Sequence, residues 1–540
     1  MIRIIPGGPV AMNLKYRQPR GGGVAAPAIV WLALVLGGCT VLPATPSGAP
    51  SHALADTSGT TLGQFAACAC GGEGAESNVS AVCILDRGKE AFVSRIALID
   101  LAERSVDVQT YSWSADRTGR LLAAHLLRAA DRGVRVRVLV DDIDTGGRDF
   151  NIAMFDASPN IEVRLYNPFR MRFGWRVLRP IEMLFNMDRL DHRMHNKTFV
   201  VDNQAAVIGG RNIADEYFGV NPDFDYRDFD LLALGGAAAQ VSACFDAYWA
   251  DPRSYPIHDV SPHAFEPADV RAARDRLYAF AAAQRATFPY RLPESRDQDE
   301  GEVVQVMASA VTATTEVLFD DPSKGEEDVD ASQPSHVRAV LARSPPRHEL
   351  LVVNPYFIPQ DHLVAALESA RKRGIAVRVL TNSMASTDVV AVHAAYAKRR
   401  EGLLAAGVAL SELRPDAEAR ADLIAADCPR ATLALHAKAM VLDRDRVFVG
   451  SLNLDPRSHR LNTEAGILAH SPELAAQVAR ALGVEFEPAN AWRLSLDQGH
   501  VVWSTSRGGA TVTDRDDPDA SFWRRIKCGV AQLLPIENEL

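Results

Sequence analysis

The sequence predicts a duplicated α/β fold, and three observations carry that reading. First, the chain repeats itself: Arg132-Gly133-Val134-Arg135-Val136-Arg137-Val138-Leu139 pairs with Arg373-Gly374-Ile375-Ala376-Val377-Arg378-Val379-Leu380. Second, Gly133 and Gly374 are 241 positions apart, and so are His195 and His436. Third, apolar runs of period two alternate with runs of helical period in each half, which is the pattern of α/β layers.

Each half gives the same order of elements. Val106–Tyr111 is apolar and β-prone, Thr118–Asp131 has helical spacing, Arg132-Gly133 stops that helix, and Val134–Val140 reads as a strand. In the second half Leu350–Val353 reads as a strand, Leu363–Arg373 as a helix stopped by Gly374, and Ile375–Leu380 as a strand. A length of 540 residues suits two halves with additions. The expected organisation is a leader over 1–38, Cys39 and a flexible tether over 39–75, a first half over 76–300, a second over 301–490, and a C-terminal extension over 491–540. The Pro-, Ser- and Gly-rich composition of 40–62 argues for the tether, and acidic, polar 321–335 for a surface loop.

The leader has Lys15, Arg17 and Arg20 before an apolar run over Ala26–Leu36, too short to span a bilayer comfortably. It ends Leu36-Gly37-Gly38-Cys39, similar to a bacterial lipobox, so Cys39 is expected to carry lipid and to anchor an exported, periplasm-facing protein. Inner and outer membrane are both open. Six further cysteines are present; two among Cys68, Cys70 and Cys83 could pair in an exported protein, while Cys244, Cys428 and Cys528 are expected to be buried thiols. A net charge of −10 disfavours broad nucleic-acid binding, which needs a basic footprint.

The chemistry sits in two matching motifs. The first is His195-Asn196-Lys197 with Asp202, followed by Gly209-Gly210-Arg211-Asn212. The second is His436-Ala437-Lys438 with Asp443, followed by Gly450-Ser451-Leu452-Asn453. On a strand, positions i and i+2 share a face, so each His and Lys should project together. Asp202 and Asp443 lie at an odd separation before turn-like residues and should point elsewhere, fixing local structure. The glycines at the head of each Gly-x-x-Asn segment would let backbone N–H groups approach an anion. A lone His-x-Lys would most often be chance; two complete motifs inside a repeat are not.

These paired motifs resemble the signatures of the phospholipase D superfamily, and the likeness covers residue 80 to the end. The resemblance implies two α/β/α sandwich halves related by a pseudo-twofold axis, with one active site at their interface. The chain is most similar to bacterial cardiolipin synthases of the C type, on Gln109-Thr110-Tyr111-Ser112-Trp113, Asn354-Pro355-Tyr356-Phe357, Thr381–Asp388 and Leu534-Pro535-Ile536-Glu537. It implies His195 as nucleophile forming a phosphohistidine and His436 as general acid and base; the symmetry of the motifs alone does not choose between them. Lys197, Lys438, Asn212 and Asn453 would hold phosphoryl oxygens, aided by Gly209, Gly210, Gly450 and Ser451. Asp228 and Glu464 are the expected orienting carboxylates, each for the histidine of its own half. Gly210 stands where the second half has Ser451 and removes one hydroxyl donor. No metal or cofactor is called for.

The resemblance implies transfer of a phosphatidyl group between glycerophospholipids, giving cardiolipin from phosphatidylglycerol and a second lipid such as phosphatidylethanolamine. Hydrolysis to phosphatidic acid is the alternative outcome of the same intermediate. A nuclease and a catalytically dead lipid-binding scaffold are further alternatives, disfavoured by acidity and by the completeness of both motifs. Tyr166–Pro180 mixes aromatic residues with Arg170, Arg172, Arg176 and Arg179, and Phe522–Lys527 with Val530, Leu533 and Leu534 reads as an amphipathic helix; both suit a membrane surface. The competing reading of the first is a solvated arginine loop or a core segment with its arginines reaching out to water, and that of the second a helix packed on the domain. Both motifs lie in one chain, so a monomer is expected to suffice.

Overall fold

The computed structural model describes residues 42–71, 78–172, 175–325 and 335–534. The leader and Cys39, most of the acidic loop, and Pro535-Ile536-Glu537 lie outside the described residues.

The strands of the first half are β1 (Val79–Leu85), β2 (Ser105–Thr110), β3 (Arg135–Asp141), β4 (Ile161–Tyr166), β5 (Thr198–Val201), β6 (Ala205–Gly209), β7 (Phe224–Arg227), β8 (Asp230–Gly235) and β9 (Ser254–Pro256). Those of the second half are β10 (Val311–Phe319), β11 (Glu349–Val353), β12 (Ala376–Asn382), β13 (Ala409–Leu413), β14 (Thr432–Leu435), β15 (Ala439–Leu442), β16 (Arg446–Gly450), β17 (Ala465–His470), β18 (Ala491–Asp497), β19 (His500–Arg507) and β20 (Ala510–Asp514). Strand pairing runs β9-β4-β3-β2-β5-β6-β8-β1 and continues, through the antiparallel pair β1·β10, into β17-β16-β15-β11-β12-β13-β18-β19-β20. The two halves are thus one 18-stranded sheet joined at its pseudo-twofold centre.

Local chemistry explains the repeated unit. Asp116 caps the helix Arg117–Asp131 through the Gly119 N–H, and that helix buries Leu121, Leu122, Leu126 and Leu127 on the sheet. Each such leucine contributes roughly 1.5–3 kcal/mol of burial. Gly133 (φ +93°) and Gly374 (φ +85°) end their helices in a left-handed turn that other residues strain to adopt. The parallel pairs β2·β3 and β11·β12 follow, with β5 and β15 returning antiparallel beside β2 and β11. One apolar core crosses the join, with Val82, Leu231 and Phe245 of the first half among Leu435, Ile467 and Val478 of the second.

One expectation needs correcting. The segment expected as a flexible tether lies, from residue 42, along the first half. Its carbonyls at Ala49, Ser51 and His52 accept from Arg164, Arg137 and Arg135, each at 2.8 Å. Those arginines sit on β3 and β4, and Arg137 is fully buried between Asp107 and Asp246. Buried guanidinium donors need acceptors, and the strap supplies them. Residues 491–514, expected as an extension, form β18–β20 and extend the second half's sheet from β13. All six cysteines of the described residues are free thiols; Cys83, Cys244, Cys428 and Cys528 are buried.

Candidate active site

Both histidines stand where β5 and β15 begin, beside the ends of β2 and β11. The strand ends next to them pin the residue before each one. Asp141, the last residue of β3, accepts the Met194 N–H at 2.9 Å. Asn382, the last residue of β12 and also 241 positions on, accepts the Leu435 N–H at 2.8 Å and donates to the Leu435 carbonyl at 2.9 Å.

The histidines are then exchanged between halves. His195 N–H donates to Thr463 O, and His436 N–H to Arg227 O. β7 and β14 run parallel as an isolated pair, with Arg227 opposite Leu435, and a bridge between Met194 and Thr463 is its counterpart. The residue after each acceptor is a carboxylate. Glu464 therefore meets Nδ1 of His195 at 2.9 Å, and Asp228 meets Nδ1 of His436 at 2.5 Å. Asp228 and Glu464 were expected to serve the histidine of their own half; each serves the other. The physical reason is the crossing of β7 and the segment before β17 over the join, which a distance along the chain does not report.

Each lysine lies beside its histidine, with Nζ donating to the carbonyl of His195 (Lys197, 2.6 Å) or His436 (Lys438). Lys197 also lies 5.1 Å from the Tyr111 ring centre, and Tyr111 meets the His195 ring edge-on at 5.0 Å. Tyr217 and Tyr226 flank His436 at 5.1 and 4.9 Å. Tyr226 and Tyr356 both donate to Asp388. Sequence reasoning gave Tyr217 no role; Tyr111, Tyr356 and Asp388 stood inside segments that carried the family likeness, and no chemistry marked them individually.

Burial dominates the electrostatics. It lowers His195 to about 4 despite Glu464, and it lowers His436 too, with Lys438 assisting. Lys438 is lowered to about 8 and Lys197 well below the usual ammonium range, again by burial first. The carboxylates go the other way: against burial, the charge and hydrogen bond of the opposing histidine, joined by a lysine, hold Glu464 at about 2 and Asp228 well below the usual carboxylate range. The charge of Lys438 is felt at His195, and that of Lys197 at His436, as expected of groups in one site.

Asn212 and Asn453 are buried beside this cluster, each with its side-chain carbonyl oxygen unsatisfied within the protein; the Asn212 amide donates to Tyr217 at 2.9 Å. The glycines do something other than expected. Gly210 N–H donates to Phe229 O, Gly450 N–H to Lys438 O, and Ser451 N–H to Ala465 O, so none of these groups is turned to an anion. Gly209 ends β6 opposite Asp230. A Cβ at Gly209 or Gly450 would strike the backbone of the neighbouring strand, and one at Gly210 would strike the Asp228 carboxylate. The glycines make room for the crossing strand and its acid. The second half solves the same problem differently: Ser451 Oγ donates to Glu464, as does Ser458.

Asp202 and Asp443 do point elsewhere. Asp202 accepts from the N–H groups of Glu103, Arg104 and Ser105, and Asp443 from those of Arg347, His348 and Glu349. Each holds the start of the repeat's first strand from a turn with positive φ.

Residues 96–249 and 342–483 match the family described as cardiolipin synthase, PLD-like domain. Over 455 residues the chain is 36% identical to cardiolipin synthase C of Escherichia coli strain K12, covering 84% of this chain and 94% of that one. It is 28% identical over 414 residues to cardiolipin synthase A of Pseudomonas putida strain W619, covering 76% and 69%. The crystal structure of phosphatidylserine synthase from Haemophilus influenzae Rd KW20 superposes with a TM-score of 0.54 at 15% identity, over 86% of this chain and 98% of that one, a likeness of fold.

Proposed function

The chain belongs to the phospholipase D-like family of cardiolipin synthases, and from that premise we propose that it transfers a phosphatidyl group to phosphatidylglycerol, making cardiolipin. The observation that carries the proposal is the crossed pair of carboxylate–imidazole contacts, His195 with Glu464 and His436 with Asp228. A carboxylate on Nδ1 fixes the tautomer and leaves Nε2 of each ring for chemistry.

In the first step Nε2 of neutral His195 attacks phosphorus. The bond from phosphorus to the head-group oxygen breaks, and that oxygen takes a proton from His436. In the second step the free hydroxyl of phosphatidylglycerol gives its proton to His436 as its oxygen attacks phosphorus, and the phosphorus–nitrogen bond breaks. Depression of His195 to about 4 supports its being neutral at pH 7. His436 is lowered too, by burial and by Lys438; its short contact with ionised Asp228, joined by the negative charge of an entering phosphodiester, supports its taking up the proton when substrate binds. Lys197, Lys438, Asn212 and Asn453 grip the phosphoryl group. The lysines are held low because burial outweighs their counter-charge; an entering phosphodiester supplies that charge and restores them. One phosphodiester is exchanged for another, so the step needs no nucleotide. With phosphatidylethanolamine as donor, ethanolamine leaves.

The test is to incubate the purified protein with isotopically distinct phosphatidylethanolamine and phosphatidylglycerol and to read the lipids by mass spectrometry. Cardiolipin carrying both labels is expected from the parent and none from His195→Ala or His436→Ala. Phosphatidic acid alone would assign a hydrolase, and a nicked plasmid with unchanged lipid a nuclease.

Export and anchoring follow from the leader. Cys39 carries lipid and holds the enzyme, as a monomer, at a membrane facing the periplasm. Labelled palmitate should stay with the mature parent and be lost in Cys39→Ser; equal labelling of both overturns the anchor.

A further inference from the structure

Among the described residues no helix is long and apolar enough to cross a membrane. Two helices are nevertheless built inside out. In Trp175–Phe185 the charged side chains of Arg179 and Glu182 turn toward the protein: Arg179 donates to the Asp142 carbonyl and carboxylate, and Glu182 accepts from the Arg170 and Met171 N–H groups. Its apolar residues turn outward at i, i+4, i+7 and i+8, with Leu184 68% and Phe185 79% exposed and Val177 and Ile181 beside them. In Phe522–Leu533 the same inversion recurs. Arg524 donates to Met384 O and Thr387 O, Arg525 donates to Asp517 O and Ala520 O, and Cys528 is buried. Outward stand Phe522, Ile526 and Val530, with Trp523 68% and Leu533 85% exposed. An amphipathic helix on water-facing protein does the reverse.

Their positions match as well. Asp142 follows Asp141, which holds the residue before His195. Met384 and Thr387 follow Asn382, which holds the residue before His436, and they lead to Asp388, the partner of Tyr226 at the His436 ring. So each helix is bolted by arginine to the loop after equivalent strands, β3 and β12. Because His195 and His436 share one site at the ends of those strands, the two apolar faces stand on the loops that border that site, one from each half. The helix Phe522–Leu533 carries no acidic residue, and the single acid of Trp175–Phe185, Glu182, is buried. Exposed Lys527 and Arg170 stand beside the apolar faces.

We propose that these two helices are the two sides of one membrane-docking surface that seats the catalytic opening on a bilayer containing anionic phospholipid. Apolar side chains enter the acyl boundary and the neighbouring cations meet lipid phosphates. The surface deepens the phosphatidyl-transfer reading and rests on it for its purpose: the substrate is presented head group first, without leaving the membrane. It acts in addition to any lipid at Cys39.

The experiment uses the full chain carrying Cys39→Ser, so that an anchor cannot mask docking, and vesicles of phosphatidylethanolamine and phosphatidylglycerol. The test variant adds Leu184→Asp, Phe185→Asp, Trp523→Asp and Ile526→Asp, all exposed positions outside the catalytic cluster. Co-flotation should fall at least about tenfold, while turnover of short-chain phosphatidylglycerol below its micelle concentration stays at the level of the Cys39→Ser protein. Flotation equal to that of the Cys39→Ser protein overturns the proposal. So does a shift from dimer to monomer with flotation unchanged, which assigns the faces to a second copy of the chain. A Cys39→Ser protein that floats but transfers no phosphatidyl group would remove the proposed reaction and leave the docking surface standing, so the two fail separately.

Discussion

Asp228 Oδ2 lies 2.5 Å from His436 Nδ1, although the two residues belong to different halves of the sheet. Its mirror contact joins Glu464 to His195 at 2.9 Å. The duplication is therefore not two sites side by side. Each half supplies a histidine and a lysine to one chemistry and a carboxylate to the other half's histidine, so neither half contains a complete set.

Asp228→Asn keeps the size of the side chain and removes its charge. The amide can offer N–H or carbonyl to His436, and the imidazole loses the group that fixes its tautomer and stabilises its protonated form. Transfer should fall by about 10²–10⁴-fold, with Glu464→Gln behaving alike through His195. Steady-state rates, with circular dichroism to verify folding, check this. If the carboxylates served their own halves, Asp228→Asn would weaken His195 as nucleophile whatever the leaving group; here it should slow protonation of the leaving oxygen by His436, so a donor with an acidic leaving alcohol should recover much of the lost rate.

The reaction's pH dependence follows from three groups. His436 must hold a proton to act as acid, and burial with Lys438 lowers it in the free enzyme, so activity falls on the alkaline side first through His436. His195, lowered to about 4 by burial, must be neutral to attack, so activity rises as pH climbs through about 4. Lys438, lowered to about 8, must be charged to hold the phosphoryl group, so activity falls as pH climbs through about 8. A profile of kcat/KM should be bell-shaped, with its acid limb set by His195 and its alkaline side falling first through His436 and more steeply above about 8 through Lys438. Lys438→Arg keeps its charge throughout and should remove the steepening near pH 8 while leaving the fall set by His436, at reduced rate because the planar guanidinium misfits a site built for an ammonium.

The motifs, the repeat and the strand–helix order were legible because they depend on local spacing: i and i+2 on a strand, and one offset of 241 shared by Gly133–Gly374 and His195–His436. The partner of each histidine was not. Asp228 and Glu464 lie downstream in their own halves, and only the pairing of His436 N–H with Arg227 O and of His195 N–H with Thr463 O transfers them. Such exchange is a tertiary event with no periodicity to betray it. The same limit hid the outward face of Trp175–Phe185. Helical period separates Arg179 and Glu182 from Leu184 and Phe185 but does not say which set meets the protein; Asp142 decides that.

Gly210 tests the fit of the crossing strand. A Cβ there would fall on the Asp228 carboxylate, and the backbone is fixed by Gly210 N–H on Phe229 O. Gly210→Ala should cost about 1–3 kcal/mol by overpacking and should lower turnover together with the melting temperature, since Asp228 must shift away from His436. Ser451→Ala, at the equivalent place, creates no overlap. It removes the hydroxyl donated to Glu464, and should leave stability within about 1–2 kcal/mol while raising the pH at which His195 loses its proton less than Glu464→Gln lowers it.

Asp202 and Asp443 belong to the motifs by sequence and to the scaffold by contact. Asp443 gathers the N–H groups of Arg347, His348 and Glu349, which lead into β11, and Arg446 pairs with it at 2.8 Å. Asp202 does the same for Glu103, Arg104 and Ser105, which lead into β2. Those strands carry no catalytic group of their own, but β5 and β15 are aligned on them, and with those strands His195 and His436. Replacing either acid with asparagine loses charge-assisted acceptors for several N–H groups, a cost of about 1–3 kcal/mol. The hydrogen bonds hold Asp443 below the usual carboxylate range despite burial, so its contribution is present above about pH 4 and is lost as pH falls. Asp443→Asn should thus lower the melting temperature at pH 7 and change it little in acid. Its turnover per folded molecule, measured well below that melting temperature, should stay within about threefold of the parent, against the loss of several orders of magnitude expected for His436→Ala. A loss comparable to that of the histidine, with the melting temperature unchanged, would put Asp443 in the chemistry and overturn its assignment to the scaffold.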